Sequence, residues 1–320
     1  MIVVWLGFVL GACSPGGSVA SSPSPSPSPA ARFPSPAPTS TPLPQQVEAP
    51  LPQPRQEVAE GSLAPNSLWV IGGFDPERRS STSVQIYLDQ GWGPGPSYPL
   101  AVDHAAAADA NGRLYVAGGY SNGGARGDLF RLDSSLAGWD QMAPMHHPRG
   151  ALSLVALGTT LYALGGAAGS AVAPVEAYDT VQNTWTDVTT LPLPRDHGAG
   201  FAWRGLACVA GGRFPTSARV DCYSPSANAW SRLPDLPVAT AGAGATTLGG
   251  QVIVAGGENA AESTLVNHVF RFGGGTTWTD ESMLVPRHGV QLAVFGGRAW
   301  ACGGANAPGY RAAADCTSIA

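Results

Sequence analysis

Side chains able to do chemistry are few in this chain, and they fall at regular intervals. Three of its six histidines, His104, His197 and His288, stand 14, 14 and 15 residues ahead of a glycine pair. Imidazoles repeated in this way are the raw material of a metal site or a proton-transfer site. Arg149, Arg195 and Arg287 each follow a proline and precede a glycine pair by 16 residues, and Arg55 does so by 17. All 17 basic residues are arginine, so Schiff-base chemistry and a lysine general base are excluded. No Gly-x-Ser-x-Gly elbow, phosphate loop or His-Glu-x-x-His motif occurs, and His146-His147 beside Met145 reads as a connecting loop. A formal charge of -5 leaves no basic surplus to neutralise phosphates, which excludes nucleic acid as a partner.

The elements that must position these residues announce themselves as a repeat. Glycine pairs close short apolar runs at Gly72-Gly73, Gly118-Gly119, Gly165-Gly166, Gly211-Gly212, Gly256-Gly257 and Gly303-Gly304, spaced 46, 47, 46, 45 and 47 apart. Trp92, Trp139, Trp185, Trp230 and Trp278 recur in phase, with Tyr87, Tyr178 and Tyr223 between the two markers. A period near 46 built from short β-type runs means repeated small sheets. Forty-two glycines and 29 prolines argue equally against helices. A glycine pair suits a strand end where another backbone passes closely, and the tryptophan supplies an apolar plate between neighbouring sheets.

This arrangement resembles the kelch family: a double glycine, a tyrosine about a dozen residues on, then a tryptophan. Tyr178-Asp179 through Asn183-Thr184-Trp185 is the cleanest copy. The resemblance covers residues 45–320 and implies an all-β, six-bladed kelch-type β-propeller whose blades run from inner strand a to outer strand d. The sixth glycine pair has only sixteen residues after it, room for strand c but not d. The missing strand is expected near Gln45 to Ala49, with Gln45 or Gln46 in the tryptophan position. Pairing with residues 315–319 would complete the last blade and leave no open edge.

In that register Cys208 and Cys302 lie on strand b, and Cys222 and Cys316 on strand c, each pair 14 apart. Two steps forward on b oppose two steps back on c, so one register serves both pairs. Disulfides 208–222 and 302–316 are favoured over the other two pairings and over free thiols, each contributing roughly 3 kcal/mol in the chain-entropy model. The fifth cysteine has a separate explanation. Ile2 to Leu10 is a short apolar run, and Leu10-Gly11-Ala12-Cys13 resembles a bacterial lipobox. Residues 1–13 are therefore expected to be a signal peptide, with Cys13 lipidated. Residues 14–44 hold ten prolines and one charge, and read as a Pro/Ser-rich disordered linker. The expected location is extracytoplasmic, with a membrane as partner through the lipid.

The resemblance also places a mouth. Residues following the glycine pairs and those opening strand a line it: Phe74, Tyr120, Arg213 and Glu258 in the first group, with Ala167 and Ala305; His104, His197 and His288 in the second. Asn122, Asn259 and Asn306 fall in the b–c loops, and the Pro-Arg arginines are expected to be structural, hydrogen-bonding between blades. The three histidines have imperfect phase. Opposite sides of a channel mouth are also too far apart for bonds of ~2 Å to one ion, so no metal and no cofactor is expected. A copper oxidase of the galactose-oxidase type is rejected, since it needs a cysteine-crosslinked tyrosine and seven blades. The expected function is a binding module that recognises a protein, peptide or glycan at one mouth. The alternative is a sugar epimerase or mutarotase acting on N-acetylneuraminate, with Glu258 and His104 or His197 as acid and base.

Overall fold

The structure, a computed structural model, describes residues 45–63, 66–88 and 91–320. The expected signal peptide, Cys13 and the 14–44 linker lie outside the described residues. Six four-stranded antiparallel sheets form the blades. Blade 1 comprises Ala59–Leu63, Ser67–Ile71, Val84–Leu88 and Gly91–Pro94, in the order a to d. The inner strands of blades 2 to 5 are Ala106–Ala110, Ser153–Leu157, Ala199–Trp203 and Gly244–Leu248. Blade 6 takes Ala293–Phe295, Arg298–Cys302 and Cys316–Ile319 from the C-terminus and its outer strand, Gln45–Glu48, from the N-terminal side. Inner strands of consecutive blades contact one another around a closed ring, blade 6 meeting blade 1.

The core is divided into layers, one between each pair of neighbouring blades. Trp69, Leu114 and Phe130 fill the layer between blades 1 and 2; Leu129, Leu161 and Tyr178 fill the next. Each outer-strand tryptophan also clasps the preceding blade. The indole N–H groups of Trp92, Trp139, Trp185 and Trp278 donate to the carbonyls of Ala49, Pro96, Ala143 and Pro234 at 2.8–3.0 Å. Trp230 uses the Thr189 hydroxyl instead, at 3.1 Å. In blade 6, Gln45 pairs with Ile319 as Trp185 pairs with Tyr178, which places Gln45 at the tryptophan position. Its amide donates to Ser282 O and accepts from Leu284 N–H, both at 2.8 Å. A smaller side chain thus keeps the inter-blade clasp at the joint where the two chain ends meet.

The glycine pairs sit where the next blade's entry segment crosses. Gly119 N–H donates to Arg149 O at 2.9 Å. A Cβ on Gly118 would stand 2.5 Å from that same oxygen, and both residues have positive φ. Backbone bonds of this kind recur from Gly73, Gly166, Gly212 and Gly257. The Pro-Arg arginines are buried as expected, but their side chains stay within the blade they open. Arg149 donates to Gly165 O, Pro174 O and Glu176, and Arg195 is ion-paired with Asp221 at 2.9 Å. Arg287 binds only backbone oxygens there, Gly303 O and Asp315 O. The reason is geometric: the entry segment's backbone already bridges the blades, which leaves the guanidinium to cap its own strands b and c. Disulfides join Cys208 to Cys222 and Cys302 to Cys316, each directly across strands b and c.

Candidate functional site

Each entry segment ends in two residues that build the mouth. The first bridges to the residue after the glycine pair: Gln56 to Phe74, Asp103 to Tyr120, Asp196 to Arg213, Ala241 to Glu258 and His288 to Ala305. The second turns left-handed. Glu57, His104, Ala151, His197, Gly242 and Gly289 all have φ between 51° and 68°. Their backbones close a hydrogen-bonded ring, each N–H donating to the carbonyl of its counterpart one blade earlier at 2.8–3.0 Å. Strain at the four non-glycine positions, a conformation L-residues avoid, is held in place by that ring.

The ring carries a polar cluster on the channel axis. The His104 and His197 rings meet edge to face, with centroids 5.1 Å apart. The expectation that histidines on different sides of the channel stand too far apart therefore fails, because the ring is narrow enough for side chains from blades 2 and 4 to touch. Glu57 Oε2 lies 3.5 Å from His104 Nε2. His104 Nδ1 is 2.5 Å from Asp103 Oδ1, and His197 Nδ1 is 2.8 Å from Asp196 Oδ1. His197 Nε2 lies 3.0 Å from an Arg213 nitrogen, so with its proton on Nδ1 it accepts from the guanidinium. Arg213 also meets Glu262 and, at 3.5 Å, Glu258.

Burial and charge pull these groups apart. Burial alone would raise the Glu57 carboxyl, but the surrounding cations, His104 foremost, hold it down at about 2. Burial works against a charged His104, yet Glu57 and Asp103 raise its pKa above the ordinary value. His197, desolvated and less well compensated, is pushed down. Burial raises the Glu258 carboxyl and lifts the Tyr120 phenol to about 12. One imidazole is thus disposed to be charged and the other neutral, side by side.

Above the ring opens a cavity of about 450 Å³, lined among others by Phe74, Asp103, Tyr120, Arg213 and Tyr310. Below it the channel continues as a void of about 310 Å³ walled by small strand-a residues such as Gly61, Ala107 and Gly200. The structure brings all seven sequence-expected residues to this one end. Phe74, Tyr120, His104, His197 and Arg213 line the cavity, and Glu258 stands behind Arg213. His288 is one position early in the repeat, bridging to Ala305 with Nε2 3.7 Å from Glu258. Of the loop asparagines, Asn259 closes its own loop onto Ser263, and Asn306 reaches Asp315. Sequence reasoning passed over Glu57, Asp103, Asp196 and Tyr310. Counting from the Pro-Arg step finds the first: Glu57 follows Arg55 by two, as His197 follows Arg195.

Comparisons with known proteins agree with this architecture. The family model described as Kelch motif matches residues 148–192, which span the end of the entry segment and all four strands of blade 3. Kelch-like protein terF of Aspergillus terreus is 27% identical over 76% of this chain and 60% of its own length. Kelch-like protein 36 of Mus musculus is 34% identical over 56% of this chain and 31% of its own. Beta-scruin of Limulus polyphemus is 28% identical over 60% and 24%. The chain thus spans three fifths or less of these curated relatives. The solved structure of YjhT superposes with a TM-score of 0.70 at 14% identity, covering 84% of this chain and 95% of that one, a likeness of fold. Six sheets sharing one double-glycine register, closed by an N-terminal strand, together with the Kelch motif match, give this chain the fold of a six-bladed kelch-type β-propeller.

Proposed function

We propose that this protein is an exported, lipid-tethered binding module whose mouth cavity takes a small polar group, the end of a glycan or of a peptide. The carrying observation is the cavity itself. Its volume is that of a small-molecule site, and it sets aromatic edges (Phe74, Tyr120, Tyr310) against a guanidinium and two carboxylates (Arg213, Asp103, Asp196). Such a lining grips a sugar face or a chain terminus while its charges fix orientation. The lipobox-like Leu10-Gly11-Ala12-Cys13, the proline-rich linker and two disulfides fit an oxidising, extracytoplasmic site. Calorimetry and thermal shift against a panel of mono- and oligosaccharides and short peptides test the reading. A hit whose affinity falls at least about tenfold in Tyr120→Ala and Arg213→Ala supports it. An empty panel, or binding indifferent to both changes, overturns it. Fatty-acid labelling lost in Cys13→Ser tests the tether.

A second reading, sugar epimerase or mutarotase, is favoured by one observation: a buried carboxylate, Glu57, facing an imidazole at 3.5 Å. Glu258, the carboxylate first expected in that role, is engaged instead with Arg213 and His288. Anomerisation of N-acetylneuraminate or a hexose, abolished by Glu57→Gln, would select this reading over pure binding.

A further inference from the structure

Glu57, His104 and His197 meet in a way that gripping an organic ligand does not require. One ligand atom from each lies within 4.8 Å of the other two. Donors about 2.1 Å from a zinc-sized ion at a tetrahedral angle stand about 3.4 Å apart. The Glu57–His104 distance of 3.5 Å already matches that edge. The other two separations are at most 4.8 Å, so closing the triangle takes side-chain movements of about an ångström.

The outer contacts point the same way. Asp103 and Asp196, each one residue ahead of its histidine, engage Nδ1 of His104 and His197 at 2.5 and 2.8 Å. A carboxylate on Nδ1 fixes the ring and turns the Nε2 lone pair outward, the arrangement that stands behind metal-ligating histidines. We infer that Glu57, His104 and His197 form a binding site for a divalent transition-metal ion of the zinc class, oriented by Asp103 and Asp196, with a coordination position open to the mouth cavity. Carboxyl groups of Glu57, Asp103, Asp196, Glu258 and Glu262 surround the position, against the guanidinium of Arg213. That guanidinium lies 3.0 Å from His197 Nε2 and competes for the same lone pair. Its partner Glu262 is half-exposed, so Arg213 can remain with Glu262 as the ion enters.

A second cluster, His146, Glu176 and Asp187, also groups potential ligands. It is the weaker candidate, because Glu176 is already engaged by Arg149 and by the His146 and His147 N–H groups.

The test uses the whole protein freed of metal by chelator and titrated with Zn²⁺ alone in a calorimeter and with Co²⁺ by visible absorption. It needs no organic ligand, so its failure and that of the proposed function are separable. One ion per chain and a visible cobalt band are expected. Glu57→Gln and His104→Gln should weaken binding at least about 100-fold. Asp103→Asn, which leaves the ring and both imidazoles in place, should weaken it about 10–100-fold. The double variant His146→Ala/His147→Ala should bind like the wild type. No heat and no band, wild-type affinity in Glu57→Gln or in Asp103→Asn, or loss that follows the His146/His147 change instead, overturns the site.

Discussion

Replacing Glu57 by glutamine should flatten the acid limb of this protein's stability, and the size of the effect follows from the cluster. The carboxyl titrates at about 2 in the folded protein against an ordinary value of 4.5. Each unit of difference corresponds to about 1.4 kcal/mol, so the charged form favours folding by ~3 kcal/mol. Its side chain is only 11% exposed, so solvent screening removes little of this. Because folding lowers this acid's pKa, the stabilisation is complete above pH 4.5 and is lost as pH falls from there towards 2. Urea unfolding of wild type and Glu57→Gln, compared at each pH, cancels the contributions of the other carboxyls. The wild type should be the more stable by ~3 kcal/mol at pH 6, with the gap closing by about pH 2. Glu60 supplies the opposite control. Burial raises its pKa well above the usual range, so its charged form is a burden and Glu60→Gln should gain stability as pH rises above 4.5. A Glu57 gap that does not change with pH, or that widens in acid, would refute the claim that His104 and its neighbours hold this carboxylate charged.

Two further outcomes rest on burial and closure. Arg149 and Glu176 are both fully buried and 2.5 Å apart, so Arg149→Met strands a carboxylate and should cost about 3–5 kcal/mol in chemical denaturation; Arg149→Met/Glu176→Leu should recover much of it, and equal losses would deny the pair its role. Deleting residues 43–53 removes the outer strand of blade 6 and the buried Leu51, whose side chain alone is worth about 2 kcal/mol, and bares an edge for association; a lower melting point with oligomers in light scattering is expected, and unchanged melting of a monomer would contradict ring closure by this strand.

The frame was legible because it repeats. Glycine pairs mark strand ends in every blade and tryptophans in five of the six, and their phase predicted a strand near residues 45–49 pairing with 315–319, and both disulfides. The site was only half legible, because its members are the residues that depart from the repeat. In blade 1, strands a and b are one residue further apart than in blade 2, 63 to 67 against 110 to 113. Counting back from Gly72 therefore misses Glu57 by one. His288 fell into the wrong set for a different reason: strands a and b of blade 6 have the ordinary spacing, 295 to 298, and the histidine occupies the position of Asp103 and Asp196, 15 residues ahead of the glycine pair, not that of His104. Tyr310, from the b–c connection of blade 6, has no periodic marker, and its place against Phe74 at 5.2 Å emerges only when the ring closes.

The mouth is asymmetric on a symmetric backbone, and glycine is what permits this. The hydrogen-bonded ring imposes the same left-handed turn on six residues whatever their side chains. Large groups fit only where a neighbouring blade leaves space. A Cβ on Gly289 would lie 2.5 Å from Glu57 Oε1, and one on Gly150 would collide with the Tyr120 ring. Blade 6 thus makes room for the carboxylate of blade 1, and blade 3 for the phenol of blade 2. With Gly242 and Ala151 also small, the axis holds two imidazoles and a carboxylate where six full side chains could not pack. The chemistry at this mouth therefore depends as much on the positions that carry no functional group as on those that do.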